Sequence, residues 1–258
     1  MALALRHGTY MMWRELLALW RQPWWIAVTL MQPIIWLLLF GELFQSVVEI
    51  PGFQTADYID FLVPGVIIMT AFFGASWGGM GMIEDLNRGV TDRLLVSPLA
   101  RAALVAGKVM QSAVVIFVQS LIMIGLALII GASFPGGIDG VLVMLVFAIL
   151  LGCSVGALSN GLALYIRKEE SLIAILSAVQ LPLTFISTAF MQKDLIPGWM
   201  QTAADFNPLN WAIEASRIAV LEGGDWGFIA ARAGLLLAVL LLSGWFALRA
   251  VGSYQRSV

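Results

Sequence analysis

The side chains that could carry out chemistry are few and scattered along the chain. His7 is the only histidine and Cys153 the only cysteine, so the sequence offers no histidine-based metal cluster, no Ser-His-Asp triad and no intrachain disulfide. Asp194, Asp205 and Glu214 are the only clustered acids that could serve a catalytic site beside the apolar segments. Catalysis by this chain therefore has little support in its residue types.

The nearest approach to a phosphate-binding loop is the stretch ARAALVAGKV at 100–109. A P-loop requires G-x-x-x-x-G-K-[ST], but Ala102 stands in place of the first glycine and Val109 in place of the hydroxyl residue that binds magnesium. We therefore expect no cofactor in this chain, neither ATP nor Mg²⁺. Basic residues also form no dense patch, which argues against a nucleic-acid partner.

Apolar residues dominate the elements that would have to position any site. They make up 60% of the chain, and charged residues make up 12%, against about 25% charged in soluble domains. Stretches of about 20 apolar residues are long enough to cross the hydrocarbon core as helices. The sequence therefore predicts an all-α, polytopic membrane protein with six transmembrane helices, at about 24–44, 61–82, 109–130, 141–166, 172–191 and 228–248.

Basic and acidic residues are distributed unequally between the two sides of the membrane that these six spans define. The segments 1–23, 83–108, 167–171 and 249–258 hold eleven of the 14 Lys and Arg residues and six acidic residues. The opposite side holds three basic residues and ten acidic ones. Because lysine and arginine in short loops remain cytoplasmic, we expect both termini on the cytoplasmic side of the plasma membrane, the inner membrane of the cell.

Three segments outside the spans have distinctive patterns. Residues 1–23 contain apolar residues at i, i+3, i+4 and i+7 from Trp13, which predicts an amphipathic interfacial helix, with the six-span domain covering 24–258. The loop 83–108 mixes charges with an apolar cluster before Ser97 and Pro98, and it is longer than a simple connection requires. Residues 192–227 are too polar to span and too apolar for a free loop, which favours short re-entrant or interfacial helices before the last span.

Three stretches, taken in order, resemble the membrane subunit of ABC type-2 transporters, the exporter permeases of the drug-resistance and polysaccharide or lipid export type. They are GVTDRLLVSPLARAALVAGK at 89–108, LPLTFIS at 181–187 and LIPGWMQTAADFNPLNWAIEASR at 195–217. The resemblance covers nearly the whole chain. One departure is the sequence STAF at 187–190, where the family usually has a Ser-Gly-aromatic step.

The resemblance implies an ATP-driven exporter of an amphipathic molecule such as a drug, a lipid or a lipid-linked glycan. Two permease chains, expected as a homodimer, would pair in the lipid, and two separate ABC ATPase subunits would bind ATP and Mg²⁺ beneath them. The chain itself would then be no enzyme. The absence of a buried charge in the middle of the spans agrees with an energy source outside the chain.

The resemblance also assigns residues to the two functions of such a permease. Coupling to the ATPase would involve the 83–108 loop and the short loop at 167–170, namely Glu84, Asp85, Arg88, Asp92, Arg93, Leu94, Leu95, Ser97, Pro98, Arg167, Lys168 and Glu169. The substrate path would be lined by the first, second and fifth spans, with Gln32, Trp36, Phe72, Phe73, Trp77, Gln180 and Phe185 as candidates. Aromatic walls with few polar anchors suit an amphiphile.

Two other functions stay open. A membrane-embedded lipid-modifying enzyme would use the acids Asp194, Asp205 and Glu214, and it would turn over a lipid without ATP. A passive channel or scaffold subunit would conduct or assemble without nucleotide, but it leaves the long 83–108 loop unexplained. An ATPase that co-purifies with the chain distinguishes the exporter from both.

Overall fold

The structure, a computed structural model, describes residue 13 and residues 23–50, 53, 55, 57–91 and 101–256. Within these residues every regular element is helical, which confirms the all-α class. The α-helices are α1 (Pro23–Leu43), α2 (Tyr58–Ser76), α3 (Gly78–Asn87), α4 (Arg101–Ile129), α5 (Gly137–Ile166), α6 (Glu169–Phe185), α7 (Gly198–Asp205), α8 (Pro208–Arg217) and α9 (Trp226–Gln255). Two short 3₁₀ turns, Gln45–Glu49 and Lys193–Leu195, and a π-helical turn, Ile218–Glu222, connect them.

Four helical stretches in the described residues are long and apolar enough to cross a membrane, judged by length and composition. They are Tyr58–Asn87, which joins α2 to α3, Ala103–Ile129, Gly137–Ile166 and Trp226–Gln255. The apolar part of α1, Ala27–Leu43, is shorter, and α6 has 17 residues. The structure thus supports a multi-pass membrane protein and gives four of the six predicted spans this length.

Some predicted boundaries shift, and some predicted segments lie outside the described residues. Helix α4 begins at Arg101, inside the predicted 83–108 loop, and α6 ends at Phe185, before the predicted limit of 191. Only Trp13 and Pro23 of the predicted interfacial helix over 1–23 belong to the described residues. The predicted coupling residues Asp92, Arg93, Leu94, Leu95, Ser97 and Pro98 lie outside them.

Helix α5 forms the centre of the bundle and contacts α2, α3, α4, α8 and α9. Glycine allows these close contacts: a Cβ at Gly152 would lie 2.1 Å from Cδ1 of Ile116 on α4. Small residues at such positions let the backbones of membrane helices approach each other. A second core, which includes Met82, Leu104, Leu164 and Leu172, joins α3 to the ends of α4, α5, α6 and α9. We call the end of the bundle that contains this second core the α3 end.

The second apolar stretch is broken at Trp77, between α2 and α3, and a side chain of α5 supports the break. The Ser159 hydroxyl accepts a hydrogen bond from the Gly79 N–H at 3.1 Å and donates one to the Ser76 carbonyl at 2.5 Å. In lipid, backbone groups released by a broken helix need such partners. Gly79 has no room for a side chain, because a Cβ there would lie 2.5 Å from Ser159 Oγ.

The segment after α6 forms two short helices that pack onto the spans through a polar cluster. Asn207 caps α8 by accepting a hydrogen bond from the Leu209 N–H at 3.0 Å, and its amide donates to the Leu183 carbonyl at 2.7 Å. Asn210 Oδ1 accepts from the Thr188 N–H at 2.9 Å. These hydrogen bonds therefore fix the path of the chain after α6.

Arg217, at the end of α8, connects this cluster to α2. Its guanidinium donates to the Thr188 carbonyl at 2.9 Å and to the Phe61 carbonyl at 3.3 Å, and it lies 3.6 Å from the centre of the Phe61 ring. Burial lowers the pKa of Arg217 to about 9, while the Glu214 carboxylate opposes this shift. The group is thus cationic at neutral pH and can donate all of these bonds.

Candidate functional site

A cavity of about 580 Å³ lies between α1, the α2–α3 pair and α4. This volume is within the range of about 300 to 1,000 Å³ typical of small-molecule sites. Apolar side chains such as Val28, Met69 and Val115 form part of the wall. The remaining wall divides into an aromatic part, an amide and hydroxyl part, and a charged end.

One face of α4 contributes six residues to the wall, at a helical spacing. Lys108 is followed at i+3, i+4, i+7, i+8 and i+11 by residues that also line the cavity: Gln111, Ser112, Val115, Ile116 and Gln119. This spacing places all six on one side of a helix. The face is charged at the α3 end and carries neutral polar groups along the rest of its length.

Three glutamine amides line the cavity, and each keeps unused hydrogen-bonding capacity. Gln119 is 3% exposed; its Nε2 donates to Thr29 Oγ1 on α1 at 2.9 Å, whereas its Oε1 has no partner. Gln32 on α1 and Gln111 on α4 form no side-chain hydrogen bond with any described residue. Free amides at membrane depth mark a polar site, because lipid offers them no partner.

Aromatic rings form another part of the cavity wall. Trp36 of α1 and Phe73 of α2 meet edge to face, with ring centres 6.2 Å apart. Trp77 lies at the break between α2 and α3 and is 48% exposed. Trp36 also packs on Phe190, with ring centres 5.5 Å apart, so the residues that follow α6 support this wall from behind.

The charged end of the cavity holds two ion pairs, which we call the charge cluster: Glu84, Asp85, Arg88 and Lys108. Lys108 Nζ lies 2.6 Å from Asp85, and both side chains are largely buried, at 7% and 16% exposed. Arg88 lies 2.5 Å from Glu84 one turn earlier, and this pair is exposed. The buried pair fixes α3 to α4, while the exposed pair lies where the described part of the 83–108 loop leaves α3.

The predicted path residues divide into two groups in the structure. Gln32, Trp36, Phe73 and Trp77 line the cavity together. Phe72 is buried in the core beside Phe73, Gln180 donates a hydrogen bond to Ser76 Oγ at 2.6 Å, and Phe185 is 65% exposed at the end of α6. Helix α4 forms a further part of the wall of this cavity, whereas no residue of the fifth apolar stretch lines it.

The predicted coupling residues that the structure describes lie at the α3 end. Glu84, Asp85 and Arg88 are on α3 and its C-terminal turn, and the Arg167–Lys168 turn joins α5 to α6 beside the second core. Arg167 adopts φ 55°, donates to the Leu164 carbonyl at 3.2 Å and stacks over Tyr254. The described parts of both predicted contact regions therefore lie at one end of the bundle.

Comparison with known proteins identifies the family. The sequence profile of the ABC-2 type transporter family matches residues 8–221. The chain belongs to the ABC-2 type transporter family. It is 32% identical over 83% of its length to a putative transport permease, ycf38, of Cyanophora paradoxa, covering 74% of that protein. It is 29% identical over 84% of its length to the daunorubicin resistance ABC transporter permease protein DrrB1 of Streptomyces coeruleorubidus, covering 75% of it.

A probable doxorubicin resistance permease, DrrC, of Mycobacterium tuberculosis is 22% identical to the chain over 83% of its length, covering 77% of that relative. The chain is thus an ABC-2 type permease, a membrane subunit of an ABC transporter, as its resemblance in sequence implies. Its relatives are transport subunits, which agrees with the prediction that the chain itself is no enzyme.

Sequence reasoning missed part of the cavity of this ABC-2 permease. Thr29, Lys108, Gln111 and Gln119 were not among the predicted path residues, yet all four line it. The signal was available, because Lys108, Gln111, Ser112 and Gln119 repeat at helical spacing in the third apolar stretch. The spacing could not show which helices this face of α4 packs against.

Proposed function

We propose that this permease is the membrane subunit of an ATP-driven exporter that moves an amphipathic molecule across the plasma membrane. The observation that carries the proposal is the cavity of about 580 Å³, which places aromatic rings and free amides at the depth of the apolar helices. Such a wall suits a molecule with one apolar and one polar part. Two of the relatives, named as daunorubicin and doxorubicin resistance permeases, support a substrate of this kind.

Energy would come from a separate ABC ATPase. In this proposal two ATPase subunits bind ATP and Mg²⁺, and two copies of the permease pair as a homodimer. Helix α3, the segment 92–98 and the Arg167–Glu169 turn would contact the ATPase, with Asp92, Arg93, Leu94, Leu95, Ser97 and Pro98 in the main contact. An element that protrudes from the spans is needed, because nucleotide closure is a rigid-body motion.

Six membrane crossings and cytoplasmic termini complete the proposal. Helices α1 and α6 would supply the two crossings that are shorter in the structure, and 1–23 would lie along the inner headgroup layer. The excess of Lys and Arg in the segments at the α3 end supports this orientation. Helices α7 and α8 would then lie on the outer side as interfacial or re-entrant pieces.

Reconstitution tests the proposal. The permease and its ATPase partner, purified as a complex, are placed in proteoliposomes, and ATP-dependent movement of a fluorescent amphiphile is measured. We expect transport by the complex and none by the permease alone. Arg88→Glu should reduce transport while ATP hydrolysis continues, whereas Arg256→Glu, at the same end but outside the proposed contact, should change neither. Transport without ATPase or nucleotide would overturn the proposal.

A further inference from the structure

We propose that the cavity selects an amphiphile whose head is electrically neutral and rich in hydroxyl, carbonyl or amide groups, and that it rejects phosphate heads. Gln32, Gln111 and Gln119 would make the selection. This inference rests on the proposed function, because it defines the substrate class of the same cavity. Three observations carry it: the free amides, the pairing of the charges and the position of the aromatic rings.

The amides provide the first argument. Each glutamine offers both a donor and an acceptor, which is what a neutral hydroxyl or amide group on a ligand requires. Gln111, which is half-buried, and Gln32, which is exposed, form no side-chain hydrogen bond with a described residue, and the Oε1 atom of Gln119 is buried without a partner. A ligand that hydrogen-bonds to Gln119 satisfies a group that is costly to leave unpaired away from water. A purely apolar ligand leaves it unsatisfied.

The charges provide the second argument. A phosphate head needs a cation to balance its charge, but the basic residues at the cavity already have acidic partners. Lys108 pairs with Asp85 at 2.6 Å, and Arg88 pairs with Glu84 at 2.5 Å. An anion placed beside the charge cluster would therefore have to compete with Asp85 for the largely buried Lys108, or with Glu84 for the exposed Arg88. A strongly cationic head would likewise have to compete with Lys108 or Arg88 for these two carboxylates.

The third argument is the arrangement of the wall. Trp36, Phe73 and Trp77 line the same cavity as the polar face of α4, and Gln32 lies one helical turn from Trp36 on α1. A ring that carries hydroxyl or carbonyl groups can stack on an aromatic side chain and form hydrogen bonds to a neighbouring amide at the same time. Sugar rings and oxygenated polycyclic rings have this two-sided chemistry.

Binding to the full-length permease in nanodiscs tests the inference. Three probes share a pyrenyl-dodecyl tail and differ in their head: a glucoside, a phosphate or a trimethylammonium group. Energy transfer from tryptophan to pyrene gives each Kd, with empty nanodiscs as the blank. We expect the glucoside to bind about tenfold more tightly than either charged probe, as one or two hydrogen bonds would provide.

Charge substitutions in the cavity make the test specific. Gln111→Lys should raise the affinity for the phosphate probe about tenfold, and Gln111→Glu should do the same for the trimethylammonium probe, because each supplies an unpaired charge. Gln45→Lys, on an exposed 3₁₀ turn away from the cavity, is the matched control and should change neither affinity. Equal affinities of the wild-type chain for the three heads, or unchanged affinities of the charged probes in both Gln111 variants, would overturn the inference.

Competition identifies the source of the neutral head. Displacement of the glucoside probe by dioleoylglycerol supports a neutral membrane lipid, and displacement by a soluble alkyl glucoside alone supports a neutral solute; no displacement by either overturns the inference. The assay contains no ATPase. If ATP-driven transport is observed but the permease shows no head-group preference, only this inference is refuted. If the preference is observed but ATP-driven transport is not, only the proposed function is refuted.

Discussion

The Gln180 amide donates a hydrogen bond of 2.6 Å to Ser76 Oγ, so α6 is tied to the last turn of α2 immediately before the break at Trp77. Few other polar contacts hold α6, since Gln180 and Thr184 are its buried polar residues and much of the helix surface, including Ile175, Val179 and Leu181, is exposed. One hydrogen bond thus links α6 to Ser76, which lies between the cavity-lining residues Ala75 and Trp77.

A double-mutant cycle on Gln180 and Ser76 should measure this link. We expect Gln180→Met and Ser76→Ala to be coupled by about 0.6 kcal/mol, the average for hydrogen bonds between membrane helices. The measurement is unfolding of the purified protein by a denaturing detergent. Pairing Gln180→Met with Thr202→Ala on α7 gives a control cycle that should show additivity. Additivity in both cycles would contradict a direct bond.

Gly79→Ala should destabilise the protein because the new methyl group has no space. Its Cβ would lie 2.5 Å from Ser159 Oγ and 2.6 Å from the Ser159 carbonyl oxygen, and a backbone atom cannot rotate away. We expect a loss of about 1–3 kcal/mol in the free energy of unfolding.

The matched control for Gly79→Ala is Gly125→Ala, about one turn before the C-terminal end of α4. Nothing lies within 4 Å of a Cβ at Gly125, so this change should be neutral or stabilising by up to about 1 kcal/mol. Detergent-unfolding curves of the two variants, recorded side by side, give the comparison. Equal effects of the two alanines would show that α3 and α5 are not in close contact.

Lys108→Met should be strongly destabilising because it removes the ion pair between Lys108 and Asp85, whose side chains are both largely buried. Breaking a buried pair costs about 3–5 kcal/mol, whereas an exposed pair contributes about 0–1 kcal/mol. Arg88→Met is therefore the control, since the Arg88–Glu84 pair is 71% and 55% exposed. The double variant Lys108→Met with Asp85→Asn should recover part of the loss. Similar unfolding curves for Lys108→Met and Arg88→Met would refute this assignment.

Arg217→Lys should loosen the segment between α6 and α7 although it keeps the positive charge. A lysine cannot reproduce the planar set of donors that joins the carbonyls of Thr188 and Phe61. We expect faster amide hydrogen exchange at 186–192 and a loss of about 1–3 kcal/mol. Arg249→Lys, whose guanidinium stacks on Trp245 in an exposed position, should leave exchange at 186–192 unchanged. Identical exchange in both variants would argue against the Arg217 cluster.

The helical character of the chain could be predicted from sequence because apolar backbone in lipid must satisfy its own hydrogen bonds. The break in the second stretch could not. Pro64 lies inside α2 without ending it, whereas the helix breaks at Trp77, where no proline occurs. The groups released at the break are paired by Ser159, 80 residues after Gly79, and such a distant partner leaves no local signal.

The arrangement of the cavity also depends on contacts between residues far apart in sequence. Gln32, Trp36, Phe73 and Trp77 were predicted to share a site from the resemblance to ABC-2 permeases, and they line one cavity. The polar face of α4, by contrast, was visible only as polar residues in an apolar stretch. Periodicity shows which side chains share a face, but the neighbour of that face depends on packing between helices far apart in sequence.

The pairing of the charge cluster has an electrical consequence. Moving one elementary charge across a membrane changes its energy by about 2.3 kcal/mol per 100 mV. A neutral cargo held by amides, beside Lys108 and Asp85 that cancel each other, carries no net charge through this field. The voltage across the bilayer would then neither assist nor oppose export, and vesicles clamped at opposite potentials by potassium and valinomycin should transport at the same rate.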